Sequence, residues 1–339
     1  MNEIKSDWIK YSEYINLLQT FDATPNLYQK NDWLDLIRDG FNCELRFIKT
    51  SYNSEIYALT PLIYNKKGPF RMIGSPLRGF FTEFIGILFK NDISNELTQK
   101  IINSQYLLMS GDFHYIEFVY KSSTDIDIIS DALNSLNLEE VHKPSLLINI
   151  DVNKDDLWKS FTGRARNMVR KAQKSDVEVN EIRPSIEWID DYYDLLIETF
   201  KKQNLRPPHP RSFYHQMKNL HEKRSAIFIE VIYKKKMIAA SIFLLDDKRM
   251  MYLSGVSDKE GMKYAATSLI QWHAMKIALN RNISSYDMGG LGVKSIDKFK
   301  KSFGGEEIYH HKWIYRSKLF KFLEPVALWL AKKGFLRMG

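Results

Sequence analysis

The sequence predicts an α/β (α+β) fold, a layered mixed sheet flanked by helices, built as two units in tandem. Strand-like and helical stretches alternate along all 339 residues, the order that such a layered architecture requires. EIYALTPLIYNKKGPFRMIGSP in the first half parallels KKMIAASIFLLDDKRMMYLSGV in the second, as a duplicated unit would. The length suffices for two domains of ordinary size, each with its own core. The expected divisions are 1–151, 152–317 and a basic amphipathic tail over 318–339.

In order, Trp8–Leu18 and Asp32–Phe41 read as amphipathic helices. Strands are expected over Cys43–Lys49, Glu55–Tyr64 and Phe70–Gly74, with a hairpin turn at Asn65–Gly68. An aromatic-rich loop follows, then a helix over Ile93–Leu107, a strand over His114–Tyr120, a helix over Thr124–Leu136 and a strand over Ser145–Asp151. The second cycle opens with one helix over Asp155–Lys174, whose expected buried stripe is Leu157, Phe161, Met168, Val169 and Ala172. A strand over Val177–Ile182 leads to helices over Ser185–Lys202 and Arg211–Glu222. Strands over Ala226–Tyr233, Met237–Leu245 and Arg249–Ser254, and a helix over Ala266–Leu279, complete the cycle.

Hydrophobic residues at 44% and charged residues at 27% describe a globular protein. The lone Cys43 excludes an internal disulfide and an all-cysteine metal site, so a reducing cytoplasm is the expected compartment. Cys43 sits in a strand-like run and reads as core. MNEIKSDWIKYSEY lacks a signal-peptide apolar core, and no run is long enough to span a bilayer. A net charge of +8 suits nucleic acid, an anionic membrane face or a phosphate-bearing substrate without choosing among them. Zinc-finger spacing, RNA-binding signatures and long basic tracts are missing, which argues against a dedicated nucleic-acid module. His209, His215, His221, His310 and His311 lie apart from carboxylates at ligand spacing, so no metal site is expected.

Two stretches carry chemistry. SSYDMGGLGVKSIDKFKKSFGG (284–305) reads as a short strand broken at Gly289-Gly290, then a basic helix over Ser295–Phe303 bearing Lys298, Lys300 and Lys301. Glycines after a strand let a ligand approach the backbone, and a lysine behind them suits phosphate or a developing oxyanion. Alone, the stretch reads equally as a turn and a solvated helix face. In RARNMVRKAQK (164–174), Arg166 and Arg170 are four residues apart on one helical face. Their mutual repulsion is one that a phosphate ligand would relieve.

Tyr286-Asp287-Met288-Gly289-Gly290 followed by Phe299-Lys300-Lys301-Ser302-Phe303-Gly304-Gly305 resembles the "yDlgG … FKrgFG" signature of the FemA/FemB/FemX family. The 164–174 helix is similar to that family's "t-R-x-n-i-r-k-A-x-k-x-g-v" element. The family consists of GNAT-fold transferases that move amino acids from aminoacyl-tRNA to peptidoglycan precursors, and FemAB-like relatives act on other acceptors. The resemblance implies tandem GNAT-like domains of the compact FemX pattern, since no coiled-coil arm is inserted. It implies Lys300 as the lysine that steadies the donor, with Phe299 packed beside it, and Arg166, Arg170 and Lys171 as substrate-binding. Tyr252 matches a position lining the donor channel. Gln29 and Trp33 are similar to the family's "Q-x-x-x-W" entry. The phosphate-binding lysine that follows there is absent here, with Arg38 the only nearby cation. The loop Gly74–Gly86, with Arg78, resembles a segment lining the acceptor cleft.

The acceptor amine must lose a proton, for which Asp287 is a candidate, though an aspartate there would equally cap the glycine turn. Acetyl-coenzyme A users of the GNAT fold cradle pyrophosphate in an R/Q-x-x-G-x-G/A loop at a helix start. Here Gly261, Tyr264 and Ala266 fill those places and only Ala266 fits, with Tyr264 expected to keep a diphosphate from the amides. Aminoacyl-tRNA is therefore the expected co-substrate, acyl-coenzyme A the alternative, and no tightly bound cofactor is expected. The expected partners are a phosphate-bearing envelope precursor (UDP- or lipid-linked), tRNA and the inner face of the membrane. The alternatives are an acyl-coenzyme A or acyl-carrier-dependent N-acyltransferase acting on an amino sugar of a surface polysaccharide, and a non-catalytic protein that binds a nucleotide-linked or lipid-linked sugar. KLFKFLEPVALWLAKKGFLRMG is too short to span a membrane. With Lys318, Lys321, Lys332, Lys333 and Arg337 it would lie on an anionic surface or dock on the protein.

Overall fold

The alternation of the sequence becomes two compact units, each with its own run of paired strands. A computed structural model describes residues 3–121, 126–201, 206–207 and 209–332. The expected helix start at Thr124, helix end at Lys202 and tail cations Lys333 and Arg337 lie outside the described residues.

The first segment gives β1 (Ile4–Ile9), α1 (Tyr11–Thr20), α2 (Asn31–Phe41), β2 (Glu44–Tyr52), β3 (Glu55–Lys67), β4 (Phe70–Ser75) and the short β5 (Leu88–Phe89). It continues with α3 (Asn95–Ser110), β6 (Tyr115–Tyr120) and α4 (Ile126–Ser135). Next come β7 (Glu139–Asn149), α5 (Lys154–Ser160), α6 (Gly163–Gln173), β8 (Glu178–Ile182), α7 (Ile186–Lys201), α8 (Arg211–Glu222) and β9 (Ala226–Tyr233). Then β10 (Lys236–Asp246), β11 (Arg249–Ser257), α9 (Lys259–Lys263), α10 (Ala266–Asn280), β12 (Ser285–Gly290) and α11 (Lys294–Lys301) follow. The chain closes with β13 (Glu306–Arg316) and α12 (Lys318–Lys332).

Unit 1 comprises Met1–His142 with His310–Gly339, and unit 2 is Lys143–Tyr309. The sequence reading instead sets the junction at 151/152 and a second at 317/318. In unit 1 the strands run β1-β2-β3-β4-β6-β13, with β5 on β3. The β4/β6 pair is parallel, and β6/β13 is antiparallel. Ile101, Ile102 and Met109 of α3 and Ile129 and Leu133 of α4 join Ile73, Ile116 and Phe118 in its main core. In unit 2 the order is β7-β12-β11-β10-β9-β8. All its pairs are antiparallel except β11/β12, which is parallel. Its core joins Ile270, Ala274 and Met275 of α10 to Ile229, Phe243 and Tyr286 of the sheet.

Four expectations change. The helix expected over Trp8–Leu18 starts only at Tyr11, because Trp8 and Ile9 belong to β1, which pairs along its whole length with β2, Trp8 opposite Ile48. The single helix over 155–174 is two: the Thr162 hydroxyl accepts from the Ala165 N–H at 3.2 Å and starts α6 afresh. That new start replaces Met168 with Ala165 in the buried stripe. The strand β13, rich in charged and aromatic residues, escapes the periodicity argument, as does α9. Pro325 lies inside α12, whose helix continues to Lys332.

Candidate functional site

In unit 2 the site begins where β12 breaks. Asp287 is fully buried, and its Oδ1 accepts from the Ser145 hydroxyl (3.0 Å) and the Gly289 N–H (2.7 Å). Its Oδ2 pairs with the Arg249 guanidinium, itself only 7% exposed. A carboxylate that reaches the amide two residues on fixes a tight turn, and Gly289 takes the φ of +76° the turn needs. With both oxygens engaged, Asp287 holds the turn as a capping residue would.

Lys300 is also buried, at 8% exposure. Its ammonium donates to the Gly290 carbonyl at 2.7 Å and lies 3.6 Å from where a Cβ on Gly289 would stand. The lysine therefore reaches back from α11 onto the turn. Parallel pairing of β11 with β12 covers only Arg249–Met251 against Ser285–Asp287. Beyond it β11 continues to Ser257, bulged where Phe243 pairs Tyr252 and Ile242 pairs Ser254. Tyr252 lies at this parting. Its carbonyl sits 3.3 Å from the ideal Gly289 Cβ position, and its hydroxyl fills the space a Gly255 side chain would need, beside Ser241. Burial pushes the Tyr252 phenol up to about 12, so it keeps its proton at neutral pH.

Next to the turn lies a cleft of about 1020 Å³. Its walls come from α6 (Arg164, Ala165, Met168), the α9–α10 junction (Gly261, Ala265, Ser268) and α11 with its approach (Gly292, Lys294, Lys298, Phe299, Lys301). The start of α6 is tied to the end of α11 by two bonds to the Ser302 carbonyl, from the Thr162 N–H (2.9 Å) and hydroxyl (3.1 Å). Ala265, at φ +57°, precedes α10 without any side-chain cap, so the positive end of that helix opens on the cleft. Gly261 is required there, because a Cβ would come within 2.4 Å of the Ile238 carbonyl. Four cations line the cleft against one carboxylate, Asp297, which accepts from the Gly292 and Val293 N–H groups.

Of the residues expected from the sequence, Phe299 lines the cleft and Lys300 holds the adjoining turn. Arg166 and Arg170 do share a helix face, but it is the face toward α5. Arg166 donates to the Lys159 carbonyl (3.0 Å) and the Phe161 carbonyl, and Arg170 lies over the Trp158 ring at 5.4 Å. Lys171 is exposed and does not line the cleft. The face presented to the cleft starts at Arg164, which sequence reasoning passed over; the Thr162-Gly163 helix start was the signal that would have set the phase. The expected screen of Tyr264 is also absent from the cleft wall. Its ring packs on Tyr233 at 4.7 Å with the Lys263 ammonium 5.0 Å away.

In unit 1, Arg38 is held by Asp35 (2.7 Å) and Asp39 (2.7 Å). Arg78 stacks on Tyr115 at 4.5 Å and pairs with Glu324 of α12. Gln29 and Trp33 anchor the 82–86 loop, through the Ile85 carbonyl (3.1 Å) and the Thr82 hydroxyl (3.1 Å). The residues that resemble an acceptor site thus make internal contacts. Burial pushes the Cys43 thiol up to about 12, an inert thiol. Three of the five histidines expected without carboxylates have them: His215 meets Asp190 (2.8 Å), His310 meets Glu83 (3.0 Å) and His311 meets Glu140 (3.1 Å). Strand pairing and the helix α8 bring these together across spacings no local motif reveals.

Residues 159–307 match the family model described as an acetyltransferase (GNAT) domain. The chain has the tandem GNAT fold. It is similar to FemX in crystal structure, with a TM-score of 0.71 at 15% identity over 94% of this chain and 100% of that one. A tandem GNAT protein from the clavulanic acid biosynthesis pathway matches with a TM-score of 0.60 at 9% identity, over 93% of this chain and 98% of that one. L-PGS from Bacillus licheniformis matches with a TM-score of 0.58 at 11% identity, over 96% of each chain. No curated protein matches the sequence.

Proposed function

We propose that this tandem GNAT protein is a FemAB-like transferase that forms an amide on an amine of a cell-envelope precursor, with aminoacyl-tRNA as donor. The cationic cleft of unit 2 carries the reading: it joins an uncapped helix start to lysines and an arginine, which suits a phosphate-bearing donor end. The amine nitrogen attacks the donor carbonyl carbon, the C–N bond forms, the ester C–O bond breaks, and the amine proton leaves. Lys300, fixed on the turn, supplies positive charge for the oxyanion. The proton that the amine loses passes to the departing oxygen, which leaves as a hydroxyl. An acyl-coenzyme A donor is the second reading, favoured by the position of Tyr264 away from the cleft. Filter retention of charged tRNA and calorimetry with acetyl-coenzyme A separate the two. Retention of charged tRNA that falls about tenfold or more in Arg164→Glu/Lys298→Glu supports the first. Binding of acetyl-coenzyme A alone supports the second, and binding of neither removes the cleft from the case.

We further propose that α12 rests on an anionic bilayer. Among the described residues no helix is long and apolar enough to cross a membrane. One face of α12 is held by unit 1, through Phe320 on Phe70 (5.1 Å) and Glu324 on Arg316 (2.7 Å). Leu319 (54%), Phe322 (75%), Val326 (49%) and Trp329 (57%) form an exposed stripe along another face. Exposed Lys318 and Lys321 flank it, the pairing that favours an anionic lipid surface. Wild-type protein is expected to co-sediment with phosphatidylglycerol vesicles, and Phe322→Glu/Trp329→Glu to stay in the supernatant with an unchanged Tm. Equal co-sedimentation of both would remove the bilayer from this face.

A further inference from the structure

Glu140 and His142 are two residues apart on β7, so their side chains share one side of the strand. His311 of β13 meets them there. Its Nδ1 lies 3.1 Å from Glu140 Oε1, and His142 Nε2 lies 3.7 Å from the same oxygen. The two imidazole rings are 4.8 Å apart, and one ligand atom from each of the three residues falls within 4.8 Å of the others. Around a tetrahedral ion with bonds of about 2.0–2.1 Å, ligand atoms sit about 3.4 Å apart, a spacing that the 3.1 and 3.7 Å separations from the Glu140 oxygen bracket.

The surroundings orient the carboxylate. Asn134 donates to Glu140 Oε2 at 3.3 Å and to the Ser130 hydroxyl at 3.1 Å, while its own carbonyl accepts from the Trp313 indole at 2.9 Å. Trp313 is wholly buried and stacks on the His311 ring at 5.8 Å. His142 is the exposed member, which gives an ion a path from solvent.

We propose that Glu140, His142 and His311 form a divalent transition-metal site in unit 1, of Zn²⁺ type. Two imidazoles and one carboxylate match the preferences of that ion, and three protein ligands leave a position for water. Asn134 is its outer support, the kind of partner that fixes a ligating carboxylate. The ion would clip residues 140–142, where the chain leaves unit 1, to residue 311, where it returns.

The test is calorimetric titration of the full chain with Zn²⁺, beside Co²⁺ titration read by visible absorption, with melting followed in parallel. Wild type is expected to bind one ion tightly and to melt about 3 °C or more higher with Zn²⁺. His142→Ala, at an exposed position that leaves the fold intact, is expected to abolish both effects. Asn134→Ala is expected to weaken binding about tenfold. His215→Ala, at the His215–Asp190 pair, is expected to change nothing. Failure of wild type to bind either ion, binding unchanged in His142→Ala, or binding lost in His215→Ala would each overturn the proposal.

Discussion

Asp287→Ala is expected to destabilise unit 2 by about 3–5 kcal/mol, the usual cost of breaking a buried ion pair by removing one member. Part of the loss arises at Arg249, 7% exposed, which gives up its ion pair with Asp287. The Ser145 hydroxyl and the Gly289 N–H lose their acceptor as well. Denaturant unfolding measures the effect, and a midpoint within error of wild type would sink the account. The double variant Asp287→Leu/Arg249→Met supplies the internal control, since removing both charges together is far less costly than removing one. Recovery of much of the lost stability in the double variant identifies the ion pair as the source. Activity lost in Asp287→Ala would then follow from the turn coming loose rather than from a missing proton acceptor.

Lys300→Met is expected to leave the fold standing and to lower turnover by about 10²–10³-fold, the usual effect of removing one oxyanion donor. Methionine matches the length of the stem and gives up the bond to the Gly290 carbonyl, worth about 1 kcal/mol. The kinetic pattern discriminates. A fall in kcat with KM little changed fits charge stabilisation in the transition state, whereas a raised KM alone fits a lysine that only shapes the turn. Undiminished turnover in Lys300→Met would remove the lysine from the chemistry.

The sequence made the architecture legible wherever hydrophobic periodicity was local. The β12 turn and the basic helix after it were visible because glycines and lysines mark a strand end and a helix start by themselves. The strands β9, β10 and β11 and the helix α10 were legible for the same reason. What escaped depended on partners distant in sequence. Ile4–Ile9 becomes a strand only because β2 lies beside it. His311 acquires Glu140 only because β13 returns to unit 1, 171 residues away. The orientation of α6 turned on one hydroxyl: Thr162 restarts the helix, which sends Arg164 to the cleft and Arg166 to the α5 carbonyls. An i, i+4 argument finds which arginines share a face but not what that face meets. The sequence leaves Asp287 evenly divided between two roles, and its burial and three partners, all distant or across a turn, are visible only in the fold.

The return of the chain to unit 1 carries a consequence for biosynthesis. β13 flanks β6, and its Lys312 forms a buried ion pair with Glu117 of that strand. A nascent chain that has emerged only as far as residue 309 holds every strand of the second unit's sheet, yet its earlier half still bears the bare side of β6. The portion translated later is therefore the one able to mature first, and the portion translated earlier must wait on the ribosome for its missing strand.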